Sequence, residues 1–273
     1  MPLRYHPRSM DRELRATPPY RTLHASARSG LLLTCEHATN RLPRSIRPTP
    51  AERELLLSHW GYDIGAWPVT RFVARALLAP AIAGRWSRLL ADLNRAVDDP
   101  TFAREVALGV RLSWNSGVGP RSRIARAVTV HAGYHAALDR LLAARVARGV
   151  RPLLVAIHTF TPEFDGQRRS FDAGVLYDEE RGLAVRCATA LRESGLSVRY
   201  NEPYSGRAGM MYSVDRHASH YGLACLELEL NQALFERADA HTRVGRAVAR
   251  ALVRITSRGE TPRRRVDRSR PRS

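Results

Sequence analysis

The chain contains no lysine, so all 44 of its basic residues are arginine. A replacement this complete reflects the composition of the source genome, and a single arginine therefore carries little weight by itself. The sequence also lacks any run of about 18 apolar residues, the length that a membrane-spanning helix requires. Its first residues are polar and rich in arginine, unlike a secretory signal. We expect no membrane partner.

Cysteine is scarce as well. Cys35, Cys187 and Cys225 are too few and too scattered for a disulfide framework or a zinc finger. A reducing, cytoplasmic location is therefore the expectation. In contrast, hydrophobic residues make up 44% of the 273 positions, which is enough to bury a sizeable core and excludes wholesale disorder.

The net charge of +18 is concentrated at the two ends of the chain. Residues 1–29 hold six arginines against Asp11 and Glu13, and residues 258–273 hold seven against Glu260 and Asp267. These ends predict a loose N-terminal arm and a disordered tail around a domain spanning residues 30–257. Such ends can bind polyanions loosely by neutralising phosphates. A non-catalytic polyanion-binding protein is thus one alternative function, although we expect no nucleic-acid partner beyond weak contacts of the tail.

Short apolar runs alternate with helical patterns along the chain. LLLTC, LLVAIHTF and LACLELEL are typical of buried strands, whereas residues 121–149 carry apolar residues three to four apart, as an amphipathic helix does. Strands that alternate with helices predict a layered α/β domain.

Titratable side chains stand at or near the ends of three of these strands. The first strand leads into Glu36 and His37, and the second carries His158 near its exit. In the third strand Glu227 and Glu229 alternate with leucines, so the two glutamates share one face. Burying a carboxylate without partners is costly, so a functional role for these glutamates is favoured if their face of the strand is covered. For Glu227 an exposed face is an equally good interpretation. Glu229 is therefore the better candidate for a functional carboxylate.

Histidines and carboxylates at strand ends indicate metal chemistry. Hydrolytic zinc sites take three ligands from histidine and carboxylate side chains, while another carboxylate accepts the proton of water. His37 and His158 are the candidate nitrogen ligands. His131 and His135 have the i,i+4 spacing of a helical metal pair but lack the glutamate of an HExxH protease. We expect them on the helix surface or behind the metal ligands.

Six stretches in this order make the chain resemble the N-formylglutamate amidohydrolase family, distant relatives of zinc carboxypeptidases and aspartoacylases. They are CEHATNRLP, YDIGA, SRLLADLNR, VAIHTFTP, NEPYSG and LELELNQ, and the resemblance runs from about Gly30 to Leu234. It implies a three-layer α/β/α fold like that of zinc carboxypeptidases, with a mixed, largely parallel central sheet. It also implies one zinc ion and hydrolysis of an amide bond to a small acid.

The same resemblance assigns zinc ligands. His37 is similar to the first ligand and His158 to the last, but Asn40 stands where the carboxypeptidase-like pattern has a glutamate. Asp63 and Glu36 are the candidates for the middle ligand. Asp63 is preferred, because neighbouring residues of an extended strand, such as 36 and 37, point apart.

Further roles follow from the resemblance. Glu229 is similar to the general base, and Asn94 with Arg95 to the pair that holds a substrate carboxylate, for which a guanidinium offers a matching fork. Arg88 is expected to be a second clamp or to stabilise an oxyanion. A glycine-containing loop and the residues after it are expected to close over the substrate: Tyr204, Arg207 and His217.

The predicted function is therefore a zinc-dependent hydrolase of a small N-acylated, N-formylglutamate-like amino acid with a free carboxylate. A carboxypeptidase-like activity, or cleavage of another N-acyl group, fits the same residues. A cysteine nucleophile, Cys35 activated by His37, is a further alternative.

Overall fold

Seven strands build the central sheet, and helices pack on both of its faces. The computed structural model describes residues 7–117 and 119–257. Within these ranges the strands are β1 (Tyr20–Leu23), β2 (Leu31–Cys35), β3 (Ala81–Gly84), β4 (Val106–Ala107), β5 (Val110–Arg111), β6 (Leu153–Phe160), β7 (Glu163–Phe164), β8 (Gln167–Arg168), β9 (Ala173–Leu176), β10 (Val198–Tyr200) and β11 (Cys225–Asn231). The helices are α1 (Pro7–Ala16), α2 (Pro50–Leu57), α3 (Ala66–Ala76), α4 (Pro120–Arg126), α5 (Ala132–Val146), α6 (Arg181–Glu193), α7 (Tyr212–Tyr221) and α8 (Ala240–Thr256).

The sheet has the strand order β1-β3-β2-β6-β11-β9-β10. Four neighbouring strands, β3, β2, β6 and β11, are parallel. On one side β1 is antiparallel to β3; on the other, β9 is antiparallel to β11 and β10 is parallel to β9. The carboxyl ends of four neighbouring strands therefore meet at one edge, where open α/β sheets commonly build their sites.

The core consists of one apolar cluster on each face of the sheet. Because successive side chains of a strand point to opposite faces, Leu31 and Leu33 enter one cluster and Leu32 enters the other. The first cluster joins the sheet to α3, α6 and α8, and the second joins it to α5 and α7. The predicted three-layer α/β/α fold with a mixed, largely parallel sheet is confirmed.

Strand β11 shows the predicted alternation. Its leucines 226, 228 and 230 belong to the first apolar cluster, and Glu227 and Glu229 lie on the opposite face. Both glutamates are buried, which corrects the alternative that Glu227 lies on an exposed face. In the pairing of β11 with β6, Glu229 is opposite His158, so the two side chains share a face.

The N-terminal segment departs from the expected loose arm. Residues 7–16 form α1, and residues 20–23 form the strand β1 that pairs with β3. Met10 and Leu14, four residues apart on one helix face, are buried in the second apolar cluster. Their burial anchors a segment that its charge alone would leave in solvent. The predicted C-terminal tail, residues 258–273, lies outside the described residues.

The predicted helix over residues 121–149 is present as one helical segment of three parts. A π-helical turn, Ala127–His131, joins α4 to α5. The segment ends shortly before Gly149, which has a positive φ of 76°. None of the helices in the described ranges is long and apolar enough to cross a lipid bilayer.

Candidate metal centre

Three polar side chains converge at the carboxyl edge of the parallel strands. His37 follows β2, His158 lies in β6, and Asp63 lies between α2 and α3. One ligand atom from each of the three lies within 4.8 Å of the others, and all three side chains are buried. A group of two imidazoles and a carboxylate of this size can hold one metal ion.

The YDIGA segment brings Asp63 to the two histidines. The backbone N–H of Asp63 donates a hydrogen bond of 3.0 Å to the carbonyl oxygen of His37. Two residues later Gly65 adopts a φ of 91°, and a Cβ there would lie 2.6 Å from the ring of Phe235. Only glycine meets both conditions, so the turn that leads from Asp63 into α3 requires it.

A buried carboxylate holds each imidazole from behind. His37 Nε2 lies 2.7 Å from Asp92 Oδ1, and His158 Nε2 lies 3.1 Å from Glu36 Oε2. Because an ionised carboxylate only accepts hydrogen bonds, Nε2 is the donor in both rings. The Nδ1 atoms face Asp63. Carboxylate–histidine pairs of this kind orient the ligands of metal sites and make them more basic.

The carboxylates around the two Nδ1 atoms favour a positive charge in the space between them. Asp63 Oδ2 lies 2.7 Å from His158 Nδ1 and 3.4 Å from His37 Nδ1. His37 Nδ1 is buried and has no hydrogen-bond partner. Burial lowers the pKa of His158, but the carboxylates around it, led by Glu227, outweigh this and hold that pKa well above its usual value. Either a proton or a metal ion would supply this positive charge. The two imidazole nitrogens and the carboxylate oxygen fit a metal ion.

Glu36, the alternative middle ligand, has its carboxylate engaged elsewhere. Oε1 accepts hydrogen bonds from Tyr134 (3.0 Å) and Ser213 (2.7 Å). Oε2 accepts from Thr34 at 3.2 Å as well as from His158 Nε2. The carboxylate therefore lies behind His158, on the side away from Nδ1. Among the two candidates, it is Asp63 that faces the Nδ1 atoms.

Arg88 and Asp92 form an ion pair beside the histidines. Arg88 donates from Nε (3.1 Å) and Nη2 (2.9 Å) to Asp92 Oδ2, and its Nη1 lies 3.5 Å from Asp63 Oδ1. Asp92 thus links Arg88 to His37. The side chain of Arg88 keeps 26% of its surface exposed.

Glu229 and Glu227 bring two further carboxylates to the same face of the sheet. One oxygen of each, Oε2, is buried without a hydrogen-bond partner. Burial raises the pKa of Glu229 well above its usual value, with the neighbouring charge of Glu227 adding to the effect. Burial also raises the pKa of Glu227 to about 7. The Oε2 atom of Glu229 is thus free to accept a proton.

The DLNR loop, Asp92–Arg95, is held by hydrogen bonds to its backbone. His135 Nε2 lies 3.1 Å from the carbonyl oxygen of Leu93, and His131 Nε2 lies 3.0 Å from that of Arg95. The side chain of Asn94 accepts a hydrogen bond from the backbone of Ser213. The HAGYH histidines are therefore buried behind this loop, which corrects the alternative that they lie on the helix surface.

The three residues expected to close over the substrate lie in different environments. Tyr204 is close to the centre, since the charges of Glu229, Arg169 and Arg88 all act on its hydroxyl. Arg207 is exposed, with its guanidinium 5.2 Å from the ring centroid of Tyr177. His217 is buried, and its ring nitrogens contact Asp139 and His135, each at 2.8 Å. The structure thus brings only Tyr204 of the three to the site.

Cys35 is not placed for nucleophilic chemistry. The thiol is fully buried, and burial raises its pKa to about 12. A thiol with that pKa is protonated at neutral pH, whereas the thiolate is the nucleophile. The alternative of a cysteine hydrolase is therefore contradicted.

Several residues at the site gave little signal in the sequence. Asp92 belongs to the DLNR motif, but its contact with His37 joins positions 55 residues apart. No local pattern indicated Tyr134 on α5 or Ser213 on α7, which both donate hydrogen bonds to Glu36.

The comparisons with known proteins agree with this geometry. A family model described as N-formylglutamate amidohydrolase matches residues 29–236. The comparison with curated proteins gives no match.

Two solved structures resemble the chain over most of its length. The gene product Atu2144 from Agrobacterium tumefaciens is 26% identical, with a TM-score of 0.83 over 88% of this chain and 96% of that one. The N-formylglutamate amidohydrolase from Ralstonia eutropha JMP134 is 17% identical, with a TM-score of 0.65 over 88% of this chain and 98% of that one. At that identity the second likeness concerns the fold alone.

Proposed function

The chain belongs to the N-formylglutamate amidohydrolase family, and on that premise we propose that it is a zinc-dependent hydrolase of the amide bond in a small N-acylated amino acid with a free carboxylate. Membership of the family supports an amidohydrolase that acts on acylated amino acids. The observation that carries the metal dependence is the convergence of His37, Asp63 and His158, with a carboxylate behind each imidazole.

His37, Asp63 and His158 would hold the metal through the two Nδ1 atoms and a carboxylate oxygen. Two nitrogens and one oxygen match the ligand sets of catalytic zinc, which leave a further position open. When bound, zinc would polarise the scissile carbonyl and make water a better nucleophile at neutral pH. Asp92 and Glu36 keep the imidazoles turned so that Nδ1 is available.

Glu229 is the general base in this proposal. Its free, buried Oε2 takes a proton from the attacking water, while the oxygen of that water bonds to the acyl carbon. The C–N bond then breaks, and Glu229 returns the proton to the leaving nitrogen. The products are the free amino acid and the acid of the acyl group. The raised pKa of Glu229 favours the first transfer, because it makes the carboxylate a better proton acceptor than an exposed glutamate.

Asn94 and Arg95 bind the substrate carboxylate in this proposal, and the partly exposed Arg88 stabilises the oxyanion. The ion pair with Asp92 fixes the guanidinium of Arg88 beside the ligand group before substrate arrives, so little reorganisation is needed during the reaction. Tyr204 also contacts the substrate in this proposal. For Arg207, which is exposed, and His217, which is held by protein partners, substrate binding stays a prediction on which this proposal does not depend.

Metal content is the first test. Elemental analysis of the purified protein should find about one zinc per chain, lost in His37→Ala and in His158→Ala. His220→Ala is the matched control, because His220 is exposed on α7. Circular dichroism checks that each variant is folded. A folded parent protein that takes up no metal when zinc is offered would contradict the proposal.

Activity is the second test. The zinc-loaded parent should release the acyl group from N-formyl or other N-acyl amino acids. Glu229→Gln should slow this by about 10²- to 10⁴-fold at unchanged zinc content. If Glu229→Gln works at the parent rate, the assigned base is wrong. Release of a C-terminal residue from peptides, with no hydrolysis of N-acyl amino acids, would favour the carboxypeptidase-like alternative.

A further inference from the structure

Three side chains in a row, Asp139, His217 and His135, lead from the surface to the backbone of the DLNR loop. Asp139 Oδ1 lies 2.8 Å from His217 Nδ1. His217 Nε2 lies 2.8 Å from His135 Nδ1, and His135 Nε2 lies 3.1 Å from the carbonyl oxygen of Leu93. Both histidines are buried, whereas the side chain of Asp139 is 39% exposed. This histidine row therefore connects a carboxylate at the surface with the proposed substrate-binding loop.

The geometry of the histidine row requires an extra proton. The planes of the two rings differ by 23° and their centroids are 5.1 Å apart, so the rings meet edge to edge through the two nitrogens in contact. The groups at the two ends, a carboxylate and a backbone carbonyl, only accept hydrogen bonds. Three hydrogen bonds therefore need three protons on the four ring nitrogens, and two neutral imidazoles carry only two. The pair of histidines thus holds one positive charge.

The positive charge belongs to His217. Its Nδ1 contacts the carboxylate of Asp139, whereas His135 faces an uncharged carbonyl group. Burial raises the pKa of Asp139, but the hydrogen bond and the charge of His217 outweigh this and lower that pKa. Burial also holds the pKa of His135 well below its usual value, and the charges of His131 and His217 lower it further. His135 is therefore neutral, with its proton on Nε2 and its Nδ1 accepting from His217.

The surroundings of the row leave Asp139 as the carboxylate in contact with His217. Further titratable groups that act on Asp139 or His135 lie on the π-helical turn and on α7: His131, Arg216 and His220. Those on α7 are exposed, so solvent and salt screen their charges. From the sheet, β6 and β11 pack against α7 with members of the second apolar cluster: Leu154, Ala156 and Cys225.

Loss of one proton would leave two protons for three hydrogen bonds. The bond from His217 Nδ1 to the carboxylate is charge-assisted, so it is stronger than a bond to a neutral carbonyl. His217 therefore keeps its Nδ1 proton, and its bare Nε2 then faces His135. To donate to that nitrogen, His135 moves its own proton from Nε2 to Nδ1. The carbonyl oxygen of Leu93 loses its donor as a result.

We propose that His217 is a positioning residue whose second proton holds the DLNR loop in its substrate-binding form through His135. This inference rests on the proposed function, in which Asn94 and Arg95 of that loop bind the substrate carboxylate. The affinity for substrate should fall about 2- to 10-fold, the worth of one hydrogen bond, when the pH rises far enough to remove that proton. His217 thus affects binding through the loop and not by contact with the substrate.

NMR of the protein made with isotope-labelled histidine tests the histidine row itself, because the shifts of the ring nitrogens distinguish an imidazolium from the two neutral tautomers. At neutral pH His217 should carry both ring protons and His135 a single proton on Nε2. A titration from about pH 5 to about pH 10 covers the range in which histidines of folded proteins lose a proton. The His135 proton should move to Nδ1 as His217 titrates. A neutral His217 at neutral pH, or a His135 tautomer that does not follow it, overturns the inference and leaves the hydrolase proposal intact.

Asp139→Asn is the variant that should remove the pH dependence. The introduced amide can turn to donate to His217 Nδ1, so His217 can give up that proton and still donate from Nε2. His135 should then donate to Leu93 at every pH. A merely structural role for Asp139 would instead weaken binding equally at all pH values. Because Asp139 is partly exposed, the substitution leaves the packing of α5 intact.

Isothermal titration with N-formyl-L-glutamate links the row to substrate, on a zinc-loaded Glu229→Gln background that binds without rapid turnover. Affinity should fall about 2- to 10-fold as His217 titrates, and adding Asp139→Asn should abolish that fall. Groups common to both proteins titrate alike, so the ratio of the two affinities reports the row. Adding His220→Gln, on the exposed face of α7, is the control and should leave the fall unchanged.

The outcomes separate this inference from the proposed function. If the ratio of affinities does not change with pH, the inference is wrong and the hydrolase proposal stands. If the NMR titration shows the coupled tautomers but the parent neither binds nor hydrolyses N-acyl amino acids, the proposed function fails and the coupling of His217 to His135 stands.

Discussion

His37 Nε2 lies 2.7 Å from Asp92 Oδ1, and this contact turns the Nδ1 atom of the imidazole towards Asp63. The opposite pair, His158 and Glu36, has the same arrangement. The two rings meet edge to face, with centroids 4.9 Å apart. Both rings are therefore held in a ligand-like orientation by protein contacts alone.

We expect Asp92→Asn to lower the affinity for zinc about 10- to 100-fold. The amide oxygen can still accept hydrogen bonds from His37 and from the backbone of Asn94. The negative charge that makes the imidazole basic is lost, together with the hydrogen bonds that Arg88 donates to Oδ2. Competition with a chromophoric chelator measures the affinity. Asp98→Asn, at an exposed position, is the control. Equal affinities for Asp92→Asn and the parent would show that the contact does not tune the ligand.

Gly84→Ala should distort the segment that carries the first histidine. A Cβ at residue 84 would lie 2.2 Å from the carbonyl oxygen of Glu36 and 2.9 Å from the side chain of Leu93. Steric overlap with backbone costs about 1 to 3 kcal/mol in the free energy of unfolding, and the shift should also weaken zinc binding. At Gly30 a Cβ meets nothing within 4 Å. Urea unfolding measures the free energies of unfolding of Gly84→Ala and Gly30→Ala. Equal values would contradict the close packing around Gly84.

His131→Phe should impair substrate binding more than the chemical step. The substitution keeps an aromatic ring beside Phe102 but removes the hydrogen bond to the carbonyl oxygen of Arg95. With that anchor lost, KM should rise about 2- to 10-fold, while kcat changes less. His220→Phe, on exposed surface, is the control. A fall in kcat alone would mean that His131 acts on the reacting groups and not on this loop.

Glu52 makes the stability of the fold depend on pH. Burial raises its pKa, but hydrogen bonds from the backbone of Ser113 and Thr49 outweigh this and hold the pKa below its ordinary 4.5. A carboxyl group with a lowered pKa stabilises the folded state above its unfolded pKa and loses that contribution as pH falls through the folded value. Glu52→Gln should therefore cost about 1 to 2 kcal/mol at pH 7, and the cost should shrink below about pH 4.5.

Urea unfolding of the parent and Glu52→Gln at several pH values tests this. Glu54→Gln is the matched control, because Glu54 is exposed on the same helix. A difference between parent and Glu52→Gln that persists unchanged at pH 3 would contradict the assignment of the effect to the ionised carboxylate.

Local sequence patterns were sufficient to predict the central sheet and part of the site. The alternation in β11 predicted which face carries Glu227 and Glu229, because the period of a strand is two residues. Breakers and polar residues after β2 predicted that His37 stands at a strand end, and the family motifs gave the fold class. These features depend on neighbouring residues, so they can be read along the chain.

For the N-terminal segment, charge alone led to the wrong expectation of a solvated arm. Six arginines between residues 1 and 29 favoured a solvated arm, yet Met10 and Leu14 bury α1 against the domain. Two apolar side chains at helical spacing suffice to dock a short amphipathic helix when the domain offers a cluster to receive them. The sequence could not show that cluster, since its members come from distant segments.

The sequence by itself determined the alternation of strands and helices within the domain, the face of β11 that carries the two glutamates and the residues that could hold a metal. Only the tertiary structure decided that Asp63, and not Glu36, faces the two Nδ1 atoms. Glu36 is drawn behind His158 by Tyr134 and Ser213, which are 98 and 177 residues away along the chain. Hydrogen bonds between such distant residues form only once the helices have packed on the sheet, so no local pattern contains them.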